Sequence, residues 1–99
     1  TEEVEVGVCR LDSFWKNLGE PPVHLLFTDI ECAESAMTRG AQNMLRKTRF
    51  FFAEWSKQER HSEALTLQQT FACLPGRWEC LAWWDHGHAG DMLCRNLEV

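Results

Sequence analysis

The spacing of apolar and polar positions changes several times along the chain, and each change marks an element. Val4, Val6 and Val8 alternate with Glu5 and Gly7, the period of two expected of a half-buried strand. Asp12 or Ser13 is placed to cap a short helix carrying Phe14, Trp15 and Leu18, which Gly19 and Pro21-Pro22 bring to an end. From Val23 to Thr28 the chain is almost unbroken in apolar residues, which suits a strand covered on both faces, as in a parallel sheet. The clearest helical pattern follows. Ala33, Ala36, Met37, Gly40, Ala41, Met44 and Leu45 form one apolar stripe, and its small residues allow close approach to a sheet.

Phe50 to Trp55 is a second strand-sized apolar run, and the polar stretch from Ser56 to Glu63 is a loop. Thr66 with Gln69 three residues on makes a capping box for a helix carrying Leu67, Phe71 and Leu74, stopped by Pro75-Gly76. Trp78 to Trp84 and Met92 to Leu97 are two last strands, with only Asp85 to Gly90 between them, so they predict an antiparallel hairpin. Strands alternating with helices imply right-handed crossovers. The expected fold is a single α/β domain over residues 1–99: a partial doubly wound, mostly parallel sheet with a C-terminal antiparallel hairpin.

Composition narrows the function. Ninety-nine residues suffice for one core, which the 44% apolar content can fill. A net charge of −5 argues against nucleic acid as a partner, because phosphate binding rests on Lys and Arg. The basic trio Arg46, Lys47 and Arg49 falls at the end of the predicted helix, where it complements the helix dipole. No apolar run approaches the roughly 20 residues of a membrane helix, and no charged-then-apolar leader is visible. The chain starts at Thr1 rather than Met, which leaves room for an upstream segment. Five cysteines, Cys9, Cys32, Cys73, Cys80 and Cys94, make no C-x-x-C pair, and four lie in apolar or periodic surroundings. A reduced, cytoplasmic protein is expected.

Several short motifs stand in a definite order. Leu11-Asp12-Ser13 precedes the first helix, and Asp29-Ile30-Glu31-Cys32-Ala33-Glu34 closes the strand from Val23. Gly40-Ala41 lies within the next helix, and Glu54 ends the strand that Thr48-Arg49-Phe50 opens. Leu74-Pro75-Gly76 and the closing Asp91-x-Leu93-x-Arg95-Asn96 follow. This series, from about Val4 to Asn96, resembles the FkbM-type S-adenosylmethionine-dependent methyltransferases. Cys32 departs from the pattern, standing where the family has a glycine. The resemblance implies a Rossmann-like, seven-stranded doubly wound sheet ending in an antiparallel hairpin, of which this chain supplies the C-terminal half. It also implies S-adenosylmethionine as the cofactor of the complete fold. The glycines here form no G-x-G-x-G run after a strand, so this chain alone is expected to bind no donor and to be inactive by itself.

Ligands of open α/β sheets bind beyond the carboxyl ends of the strands. Asp29 and Glu31 sit at such an end and are the candidate catalytic pair, able to orient an acceptor, take its proton or hold a divalent cation. Capping and a solvated loop are the plainer account of them. Glu34, Glu54 and Trp55 are candidate substrate-binding residues. For these the plain readings are a helix-end carboxylate, an exposed strand-end carboxylate and a core-rim aromatic. Asp85-His86-Gly87-His88 has the look of a metal string, but spacing places no third ligand, so a hairpin turn is the simpler reading and no metal site is assigned. Cys32 as a nucleophile lacks a His at an informative spacing, and His24 and His61 have no visible partner. Trp83-Trp84 and Phe50-Phe51-Phe52 are expected in the core.

Two functions follow. One is the C-terminal part of a methyltransferase acting on an oxygen of a sugar or secondary metabolite. The other is a non-catalytic, homo-oligomeric interaction or small-ligand module derived from that fold. The strand from Val23 would have an open edge unless the Val4–Val8 strand covers it. The expected partner is therefore a second copy, in a homodimer through that edge, or the missing N-terminal half.

Overall fold

A computed structural model describes residues 3, 5, 7–28, 34–56, 67–87 and 89–99, of which 34, 35 and 56 are described in the backbone only. Four strands, β1 (Val23–Phe27), β2 (Thr48–Ser56), β3 (Trp78–Asp85) and β4 (Ala89–Asn96), make one sheet in the order β1-β2-β4-β3. β1 runs parallel to β2, with Leu25 opposite Phe50 and Phe27 opposite Phe52. β4 inserts between β2 and β3 and is antiparallel to both. The sheet is therefore mixed, parallel at the β1 end and antiparallel elsewhere, with β4 alone opposing the direction of the other three. The expected hairpin is present with a shorter turn. His86 N–H donates to the Ala89 carbonyl at 2.8 Å, and Gly87 supplies a φ of +109° that suits glycine.

Alternation along the strands sorts the side chains onto two faces. Phe51, Ala53 and Trp55 of β2 share one face with Met92 and Cys94 of β4 and Trp78 of β3, and all are buried. The helices α1 (Leu11–Asn17), α2 (Glu34–Arg39), α3 (Gln42–Arg46) and α4 (Leu67–Ala72) pack onto that face. Leu11, Met37, Leu45, Leu67 and Phe71 join its core, as do Ala41 and Leu74 just outside the helices. The opposite face is different: Leu25 and Phe27 keep 54% and 61% of their surface exposed, and Trp84 keeps 45%. In the described residues the helical layer is thus one-sided.

The single helix expected across Ala33–Leu45 is broken. Gly40 N–H bonds back to the Ala36 and Met37 carbonyls, closing α2, and Ala41 leaves helical geometry at φ −129°, ψ 20°. The break lets another segment in. A Cβ on Gly40 would stand 3.4 Å from the Arg10 Cβ, and Asp12 N–H donates to the Gly40 carbonyl at 2.8 Å. The Asp12 carboxylate then accepts from Asn43 N–H at 3.0 Å and Met44 N–H at 2.8 Å. Asp12 therefore caps α3 rather than its own helix, whose N-cap is Arg10 without a side-chain bond. Since Ala41 offers α3 no capping side chain, the donors of its first turn are satisfied across the fold.

Other expectations need correction. Val4 and Val6 of the first predicted strand lie outside the described residues, but Glu5, Gly7 and Val8 are not in a strand. The chain there heads toward the helical layer, where Arg10 packs on Gly40 and donates to the Arg39 carbonyl. No described residue pairs with the outer edge of β1. Trp83 and Trp84 belong to β3 as expected yet are exposed, because β3 is an edge strand with one neighbour. Cys94 alone among the described cysteines is buried, Cys73 is half-buried, and Cys9 and Cys80 are exposed. Thr66 and the predicted loop, apart from the backbone of Ser56, lie outside the described residues. No described helix is long and apolar enough to cross a membrane.

Candidate functional site

The carboxyl end of β1 is pinned to β2. Thr28 is buried, and both its N–H and its hydroxyl donate to the Phe52 carbonyl, at 2.8 and 3.0 Å. Asp29, Glu31 and Cys32 come next in sequence and lie outside the described residues. Glu34, described in the backbone only, is the first residue of α2.

Glu54 and Trp55 adjoin in sequence and face opposite ways. Glu54 is half-buried on the face without helices, opposite Asp91 of β4. Trp55 belongs to the core, with 6% of its surface exposed. Its indole N–H donates to the Asp91 carbonyl at 3.0 Å, and its ring meets Trp83 edge-on at a centroid distance of 6.2 Å. Gly90 lies under that ring, where an added Cβ would come within 2.6 Å of it. Of the five candidate residues, only Glu54 and Trp55 have described side chains, and these point to opposite faces of the sheet.

What the structure does assemble beside Glu54 is a group that spacing alone did not assign. His86 Nε2 is 3.0 Å from an Asp91 carboxylate oxygen. Asp85 stiffens the same turn by accepting from Gly87 N–H at 2.9 Å. Asp91 is opposite Trp84 on its other side, so Glu54, Asp91 and Trp84 form one row across three strands. Two carboxylates facing each other across a strand pair repel. The row can accept hydrogen bonds from hydroxyl groups. The available signal was the five-residue interval between His86 and Asp91 across a tight turn, which places the two side chains together only once β4 is in register with β3.

Behind the row runs an aromatic series. Phe27 stacks on Phe52 at 4.7 Å and 5° between planes, and Phe52 meets Trp84 at 6.1 Å. Among the described residues, no group of three or more His, Cys, Asp or Glu is placed to hold a metal ion. Two open grooves, of about 690 and 660 Å³, lie in the helical layer around Arg10 and Gly40.

One comparison with known proteins bears on this arrangement. The chain is 33% identical over 96 residues to the 2-O-methyltransferase NoeI of Sinorhizobium fredii (strain NBRC 101917 / NGR234). The match takes in 97% of this chain and 39% of that relative, so the chain spans about two fifths of the protein it resembles. A relationship to methyltransferases is supported by this match. No family model matches the chain. No solved structure matches it.

Proposed function

We propose that this chain is the acceptor-side, C-terminal part of an FkbM-type, Rossmann-like S-adenosylmethionine-dependent O-methyltransferase acting on a sugar or secondary metabolite. The observation that carries the proposal is the match to a 2-O-methyltransferase along 97% of the chain. The parallel β1–β2 pair and the C-terminal hairpin agree with it. The described residues do not fit the methyl donor, for no glycine-rich loop follows a described strand to bring backbone against it. The chain's own part is to bind and prepare the acceptor. In this reading Asp29 and Glu31, beyond the pinned end of β1, orient the acceptor hydroxyl and take its proton. Glu34 and Glu54 accept hydrogen bonds from neighbouring hydroxyls, and Trp55 backs the site from the core. A cytoplasmic setting with reduced thiols goes with this chemistry.

The test is a chimera in which this chain replaces the matched part of NoeI, assayed for transfer of labelled methyl groups. Activity is expected, and Asp29→Asn or Glu31→Gln should lower kcat by about 10²–10⁴, the usual range for loss of general acid–base help. A folded chimera that binds S-adenosylmethionine and leaves every hydroxylated acceptor unmethylated refutes the reading.

The edge of β1 that no described residue pairs favours one alternative, a non-catalytic module that dimerises by strand pairing. Its mark would be a stable dimer whose β1 amides are protected from exchange.

A further inference from the structure

The hairpin of β3 and β4 carries two cysteines that the function proposed above does not use. Cys80 and Cys94 are Cα partners across this antiparallel pair, so both project from the same face of the sheet. Partners of this kind have Cα atoms about 4.5 or 5.5 Å apart. Both spacings fall within the roughly 4.4–6.8 Å that a disulfide bridges. Burial, and after it the charge and hydrogen bond of Cys80, push the Cys94 thiol up to about 12, so the two side chains meet.

Their surroundings differ. Cys94 is fully buried and Cys80 is exposed. Cys80 opens on a groove of about 370 Å³ between α4 and β3, lined by Leu67, Gln68, Phe71 and Trp83, which gives a small reagent a way in. Leu81 is an extra residue in the register of β3, between Cys80 and Ala82. The Cys80 thiol donates to the Ala82 carbonyl at 3.5 Å, a weak bond that is easily given up. Thiols kept only as small hydrophobes would both be buried. An accessible thiol in front of a buried one is instead the arrangement of an attacking and a resolving cysteine.

We infer that Cys80 and Cys94 form a redox modification site, which a small disulfide such as oxidised glutathione closes into a cross-strand bridge. Cys80 loses its proton to water and attacks one sulfur of the small disulfide. A mixed disulfide forms on Cys80, and the first glutathione leaves as a thiolate that takes up a proton. Cys94 then attacks the Cys80 sulfur and gives its proton to the second departing thiolate. Two protein thiols are oxidised by two electrons, and one small disulfide is reduced to two thiols. Burial keeps the reagent from Cys94, so Cys80 reacts first. The bridge ties the edge strand β3 to β4 and closes the turn that carries His86 and Asp91 into a covalent loop.

The experiment incubates the reduced 99-residue chain with oxidised glutathione under native conditions. The chain is expected to lose two of its five thiols and to retain no glutathione. Trypsin releases Trp78 to Arg95 as one peptide, since no Lys or Arg lies between, and that peptide should be lighter by two hydrogens. Further cleavage at Asp85 and Asp91 should leave its ends joined until a reductant is added. Cys94→Ala should stop at the mixed disulfide on Cys80, and Cys80→Ala should leave Cys94 unmodified. Circular dichroism checks that both variants fold, and the wild-type peptide map decides the matter without them. The inference is overturned if Cys80 and Cys94 stay reduced in the native chain while the urea-unfolded chain is oxidised. It is equally overturned if Cys80 bridges Cys9, Cys32, Cys73 or a second chain instead.

Discussion

Removing the Asp12 carboxylate should cost this fold more than a surface charge normally does. Asp12 is on α1, but its two oxygens receive Asn43 N–H and Met44 N–H at 3.0 and 2.8 Å. These are first-turn donors of α3, a helix of five residues. A helix that short has no stability of its own, so cap and packing decide whether it forms. Losing a side-chain N-cap costs about 0.5–2 kcal/mol, and losing a carboxylate at a helix N-terminus about 0.3–1 kcal/mol more. One of the two bonds is exposed and the other part-buried, which holds the sum for Asp12→Ala to about 1–2.5 kcal/mol. For a domain of this size that is a fall in Tm of roughly 4–20 °C. Asp12→Asn keeps one acceptor and loses the charge, so it should fall between wild type and Asp12→Ala. Urea unfolding followed by circular dichroism measures the difference, and hydrogen exchange at the Asn43 and Met44 amides locates it. A midpoint for Asp12→Ala within about 0.3 kcal/mol of wild type, or unchanged exchange at those amides, would refute the capping argument.

Three further outcomes are expected. Gly90→Ala should destabilise by at least about 2 kcal/mol in urea titrations, because its methyl group would overlap both the Trp84 carbonyl and the Trp55 ring. Asn96→Leu should cost about 2–4 kcal/mol, since the buried Asn96 amide donates to the Leu45, Arg46 and Thr48 carbonyls, which would lose that donor. Burial pushes the Cys94 thiol up from 9.0 to about 12, with the neighbouring Cys80 adding to the shift. The neutral thiol is thus favoured by folding, and its stabilisation is complete below pH 9 and is lost toward pH 12, at no more than about 1.4 kcal/mol per pH unit. The stability gap between wild type and Cys94→Ala should therefore narrow between pH 9 and 10.5, and a constant gap over that interval would contradict the assignment.

How much of this was legible beforehand depended on whether a signal was local. Periodicity alone located β1, β2 and the β3–β4 hairpin, because burial of alternate or consecutive residues is written along the strand itself. It missed the break at Gly40-Ala41, since an apolar stripe continues through both residues and only the approach of Arg10 shows why the helix cannot. It put Trp83 and Trp84 inside because composition does not reveal that β3 is an edge. The His86–Asp91 pair was hidden for the same reason: two side chains five residues apart meet only through a register.

The motifs that carried the resemblance have an explanation in packing that their sequence did not disclose. Leu11 joins the core while Asp12 caps α3. Gly40 leaves room for Arg10, and Ala41 is fully buried behind it. In the Leu74-Pro75-Gly76 stretch, Leu74 fills the core, the Pro75 carbonyl accepts from the Trp78 indole at 2.7 Å, and Gly76 turns at a φ of +84°. Arg95 pairs with Glu79 and Asn96 ties β4 to the end of α3. Apart from the Arg95–Glu79 pair, which joins β4 to β3 on the other face, these are joints of the helical layer with itself or with the sheet. A likeness built mainly on joints says little about chemistry, because a protein that had lost catalysis would still need each of them to fold. The residues that discriminate are the three carboxylates assigned to an acceptor site, Asp29, Glu31 and Glu54. An active chimera that tolerated changes at all three would place the chemistry elsewhere, and the His86–Asp91 row would be the next place to look.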